Sequence, residues 1–117
     1  MIKNLELSYD DQMELLTRKN ILTISTKMCR KIGVIPAVVF AVLFEKYSEQ
    51  AVDGILVDGS YFKANIPSIQ EQTGLSTRAI TFAISKLKKE KMISSRLIGI
   101  PACGYFCINA SNVLKTV

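Results

Sequence analysis

The sequence predicts an α+β fold in which several helices precede a small antiparallel pair of strands. Three observations predict it. A helix, a glycine-bearing turn and a second helix follow one another between Asn65 and Lys91. Two β-rich stretches joined by a Gly/Pro loop come directly after them. The segment from Ile32 to Phe44 is so apolar that it reads as a buried helix.

Taken in order, residues 5–19 read as a helix entered at Ser8 or Asp10, with Met13, Leu15 and Leu16 as its apolar positions. Asp10, Asp11 and Glu14 fall in its first turns and Arg18 and Lys19 near its end, which suits the helix dipole. Ile21-Leu22-Thr23-Ile24-Ser25 alternates and is rich in β-branched residues, so a short strand is expected there. Ser25 or Thr26 then caps a short helix through Ile32, stopped by Gly33. Pro36 sits in the first turn of the helix that follows, which reaches about Ser48. Val38, Val39, Phe40, Ala41, Val42, Leu43 and Phe44 make that helix apolar almost all round. It must be buried on most sides, and its surplus apolar face is available to a subunit interface. Asp53-Gly54 and Asp58-Gly59 make residues 50–60 a turn-rich connection around a short Ile55-Leu56-Val57 strand.

Asn65 or Ser68 opens a short helix through Gln72, with Pro67 at its start. Thr73-Gly74-Leu75-Ser76 forms a turn, Leu75 plugging the core beside it and Ser76 capping a long helix from Thr77 to Glu90 or Lys91. On that second helix Ile80, Ala83, Ile84 and Leu87 form one apolar stripe. The opposite face carries Arg78, Phe82, Ser85 and Lys89, flanked by Thr81, Lys86 and Lys88. Met92 to Ile98 then reads as a strand, Gly99 to Gly104 as a loop, and Tyr105 to Asn109 as a returning strand. Ala110 to Leu114 ends the chain as a short turn or helix. The whole is the pattern of a winged helix-turn-helix: helices with a small antiparallel β-wing, whose second helix enters a DNA groove. Residues 1–20 read as an N-terminal helical extension and residues 21–117 as the winged-helix domain.

Composition narrows the function. The 117 residues are 49% apolar, enough for one self-sufficient core. The start shows no signal-peptide pattern, and the most apolar stretch is shorter than the roughly 20 residues of a membrane span, so a soluble, cytoplasmic protein with no membrane partner is expected. There are three cysteines and no histidine. Cys103 and Cys107 lack two further ligands for a metal, so all three cysteines read as reduced packing thiols. Without histidine a cysteine nucleophile lacks its usual base, and neither a phosphate-binding glycine loop nor a tight carboxylate cluster is present. The sequence therefore predicts no enzyme, no cofactor and no small-molecule substrate.

Charge is unevenly placed. Residues 1–59 carry seven basic and eight acidic side chains, a net of −1, whereas residues 60–117 carry eight and two, a net of +6. A basic half-domain is the footprint of a polyanion binder. The expected DNA contacts are Arg78, Thr81, Phe82, Ser85, Lys86 and Lys89 on the second helix, with Lys63, Thr77, Lys88 and Arg96 as supporting phosphate contacts. Phe82 stands out on the solvent side, where it suits stacking on an unpaired base, contact with a thymine methyl, or a protein interface. Arg96 is the only charged residue of the wing. Its tip, Ile100-Pro101-Ala102, leans toward protein contact or a minor-groove wedge. Single- and double-stranded DNA both remain open, as do a transcriptional regulator binding duplex as a dimer and a winged helix that binds a protein partner.

From Ile21 to about Val113 the order of features resembles the amino-terminal winged-helix domains of DnaD-type primosomal proteins and phage replisome organisers. The resembling stretches are Leu22-Thr23-Ile24-Ser25 leading into Arg30-Lys31-Ile32-Gly33-Val34, and the apolar helix ending in Glu45-Lys46-Tyr47. They continue with Ile66-Pro67-Ser68-Ile69, Leu75-Ser76-Thr77-Arg78-Ala79-Ile80, and Ile84 to Ile93. The resemblance implies a role in replication or regulation of a phage or mobile element, with DNA as a partner and a homodimer or a replication protein as a further one.

Overall fold

A computed structural model of the chain describes residues 8–10, 22–99 and 103–116. The elements run α1 (Thr26–Ile32), α2 (Val34–Val52), β1 (Phe62–Lys63), α3 (Ile66–Thr73), α4 (Thr77–Lys89), β2 (Ile93–Ile98), β3 (Cys103–Ile108) and α5 (Ala110–Thr116). The α+β class is as expected. The three strands form one antiparallel sheet in the order β1-β3-β2. Of the amino-terminal helix read from residues 5–19, Tyr9 and Asp10 are helical, while Met13, Leu15 and Leu16 lie outside the described residues, as does Ile100-Pro101-Ala102.

One glycine joins the first two helices. Ser25 Oγ accepts the Met28 N–H at 3.1 Å, which starts α1. Gly33 adopts φ +101°, a conformation that side chains strain. Its N–H donates to the Cys29 carbonyl and its own carbonyl accepts from Ala37, so the same residue closes α1 and opens α2. The latter begins two residues before Pro36 and runs past Ser48 to Val52, because no turn former intervenes before Asp53-Gly54. Val39, Val42 and Leu43 are fully buried within it, each such burial stabilising the domain by about 1.5–3 kcal/mol. The expected surplus apolar face is present at Phe44, which is 50% exposed.

Two expected strands are absent among the described residues. Leu22 and Ile24 pack half-buried against the core and Thr23 is exposed, yet Leu22–Ser25 pair with no strand among the described residues. Their alternation records one-sided burial without a hydrogen-bonded ladder. Ile55–Val57 contributes a single bridge, Val57 to Tyr61, since the chain turns back at Asp58 (φ +50°) and Gly59 (φ +86°). The sheet strand comes after that turn, at Phe62–Lys63.

An aromatic series ties α2 to the sheet. Tyr47 meets Phe62 edge-on at 5.9 Å, and Phe62 lies against Phe106 at 6.2 Å. Phe62 and Phe106 are also cross-strand partners. Gln50 closes the outer edge of β1: its side-chain amide donates to the Lys63 carbonyl at 2.7 Å and accepts the Lys63 N–H at 2.8 Å. A side chain here replaces a neighbouring strand, which removes an open edge. The terminal α5 packs on α1, and Asn112 Nδ2 donates to the Lys91 carbonyl at 2.8 Å. No described helix is long and apolar enough to cross a membrane.

Candidate nucleic-acid interface

Local chemistry decides where α4 begins and which way it faces. Asn65 Oδ1 accepts the Ser68 N–H at 2.9 Å, starting α3 with Pro67 in its first turn. Gly74 ends α3 in a left-handed cap at φ +73°, its N–H donating to Gln70. Thr73 Oγ1 donates to the Ile69 carbonyl at 2.8 Å and accepts from Leu75 at 3.2 Å, which fixes the turn. Leu75 lies half-buried against the core, as the sequence suggests. Ser76 Oγ accepts the Ala79 N–H at 3.1 Å, and α4 follows. Ile80, Ala83 and Leu87 are completely buried and Ile84 packs beside them, so the rotation of the helix is set by its apolar stripe.

That rotation turns the opposite face to solvent. Thr77, Arg78, Thr81, Phe82, Ser85, Lys88 and Lys89 are all exposed along it. Phe82 keeps 60% of its surface accessible, so its ring is not folded against a neighbouring element. Lys86 is half-buried, and its ammonium stands 3.8 Å from the Glu90 carboxylate one turn on. Among the described residues Arg78, Lys88 and Lys89 meet no carboxylate within ion-pair distance. The face is open and basic.

The remaining two expected contacts are placed differently. Lys63 is exposed on β1, its backbone held by Gln50. Arg96, on β2, is engaged within the domain: its guanidinium pairs with Asp58 and lies 4.0 Å from the centroid of the Tyr61 ring. A phosphate reaching Arg96 would have to compete with Asp58. Cys29, Cys103 and Cys107 are half-buried thiols in no disulfide, with Cys107 Sγ 3.4 Å from Ser60 Oγ.

Beside the face runs a cleft of about 380 Å³ that the sequence did not reveal. One wall is α4, through Thr81, Ile84, Ser85 and Lys88; the other is Asn65, Ile66 and Ile69 with Gly104 and Phe106 of β3. Three of these were singled out from the helical wheel. Ile84 belongs to the apolar stripe of the same helix, Asn65, Ile66 and Ile69 are brought by the α3–turn–α4 connection, and Gly104 and Phe106 come from a distant segment that no local signal places beside α4. A second groove, of about 430 Å³, lies between α1, α2 and α5 and is lined almost wholly by apolar side chains, Met28, Phe40, Phe44 and Val113 among them.

No family model matches the chain, and no curated protein is similar to it in sequence. The fold itself has been seen before. The chain is similar to the N-terminal domain of a DNA-binding protein, with a TM-score of 0.63 and 10% identity, over 97% of this chain and 92% of that one. It is similar to a second structure, a Rep–DNA complex, with a TM-score of 0.63 and 8% identity, over 88% of this chain and 82% of that one. The likeness therefore spans almost the entire domain and is not confined to the α3–turn–α4 unit.

Proposed function

We propose that α3, its turn, α4 and the β2–β3 hairpin form a winged helix-turn-helix, and that the chain is a non-catalytic DNA-binding protein of the cytoplasm. We place it as a replication accessory factor of a phage or mobile element. The observation that carries this reading is the outer face of α4, exposed over its full length and bearing three cations with no described carboxylate beside them. Both structural neighbours fit it, one being part of a DNA-binding protein and the other a Rep protein in complex with DNA. Low sequence specificity follows from the residue types. Lysine and hydroxyl groups suit phosphates, and the planar readers are limited to Arg78 on this face, with no Asn or Gln beside it to pair with adenine. The chain has no histidine to serve as a general base.

The direct test is an anisotropy titration of matched single- and double-stranded oligonucleotides at two salt concentrations. Binding that weakens as salt rises is expected. Salt-independent binding, or none at low salt, would overturn the assignment. A duplex-reading dimer, the regulator alternative, would instead show two α4 helices about 34 Å apart and a preference for paired half-sites.

A further inference from the structure

We infer that the cleft between α4, the start of α3 and β3 seats one unpaired nucleotide of a DNA strand, an assignment that rests on the DNA-binding reading of α4. Its floor is apolar, made by the half-buried Ile66 and Ile84 over the buried Ile69 and Phe106. Its α4 rim carries the Thr81 and Ser85 hydroxyls and the Lys88 ammonium, none of which has a side-chain partner among the described residues. Across from them stands Asn65, whose Oδ1 is committed to the Ser68 N–H while its amide nitrogen is left for a ligand. No carboxylate lines the cleft.

This set of groups matches the parts of a nucleotide one for one. A base has a flat face that gains by leaving water against apolar side chains, and an edge that asks for hydrogen-bond donors. Its phosphate asks for a cation at the mouth, where Lys88 is exposed. A purely aliphatic ligand would leave the two hydroxyls and the ammonium without partners, and a free anion would gain nothing from the isoleucine floor. The volume of about 380 Å³ falls at the small end of the roughly 300–1,000 Å³ typical of small-ligand sites, enough for one base with its sugar. A paired base cannot enter without first leaving its stack, so the cleft favours single-stranded or opened DNA over intact duplex. Phe82 projects from the helix about 100° away from Thr81, so a strand crossing α4 would meet the cleft on one flank and that ring on the other.

The experiment follows the isoleucine methyl resonances of the intact chain by NMR. The probes are a short thymidine oligonucleotide, an abasic chain of equal length, and the matching duplex. The thymidine strand should shift the methyls of Ile66, Ile69 and Ile84, and should bind at least about fivefold more tightly than the abasic chain, the size expected for one base contact. Both effects should persist in Phe82→Ala, which removes the competing stacking surface. Silent cleft methyls with a strand that nonetheless binds, equal shifts from the abasic chain, or loss of the base effect in Phe82→Ala would each overturn the cleft while leaving α4 as a DNA-binding face. Absence of binding by all three probes at low salt would overturn both.

Discussion

Removing Arg78, Lys88 and Lys89 together by alanine substitution isolates the electrostatic share of binding. These three are the cations on the α4 face without a described carboxylate partner, whereas Lys86 shares its charge with Glu90 at 3.8 Å. If each neutralises one phosphate, their loss should flatten the slope of log K against log salt by about 2.7 for duplex and about 2.1 for a single strand. Between roughly 50 and 200 mM salt the wild type should therefore lose about 40-fold or about 20-fold more affinity than the variant. All three side chains are exposed and alanine is a strong helix former, so the fold should persist. The assay is anisotropy across a salt series, with circular dichroism to confirm helicity. A variant that stays helical and keeps the wild-type slope would show that phosphates are bound elsewhere. Lys86→Ala is the internal comparison, and should change the slope less than Lys88→Ala.

Three other substitutions test separate parts of the structure. Phe82→Ala should change unfolding free energy by less than about 0.5 kcal/mol in urea titrations, as its ring is exposed, but should weaken single-strand binding by about 1–3 kcal/mol if a base stacks there. Leu87→Ala removes a fully buried side chain under α4 and should lower stability by about 2–5 kcal/mol in the same titration; a change near zero would contradict the packing. Gly74→Ala places a side chain at φ +73° with nothing within 4 Å of its Cβ. Only backbone strain should be felt, about 1–2 kcal/mol, and a neutral result would mean the turn adopts another conformation.

What the sequence made legible was local. Ser25, Asn65 and Ser76 each accept the N–H three residues ahead, a pattern contained within four letters, so three helix starts were readable. The outer face of α4 was readable because Ile80, Ala83 and Leu87 fix its rotation by periodicity alone. What was not legible depends on partners far along the chain. The alternation of Leu22 and Ile24 announced one buried side, but whether a strand lies beside it is decided by the rest of the fold. Gln50 falls where the sequence reads as a turn-rich connection, and its clamp on Lys63 exists because the loop between them returns β1 to α2. Arg96 looked like a solitary wing cation because its acidic partner is 38 residues away.

That distant partner makes the hairpin's bearing on the domain a property of two segments. Asp58 stands in a left-handed turn conformation beside Gly59, and Tyr61 of the same turn offers its ring to the guanidinium. The turn after α2 thus acts as a bracket on β2 at Arg96, added to the six positions at which β2 pairs with β3. A hairpin transplanted from another domain of this architecture would arrive without its bracket unless residues 57–61 travelled with it. Conversely, changes in that turn would reach β2 at Arg96 without altering any residue of the hairpin itself.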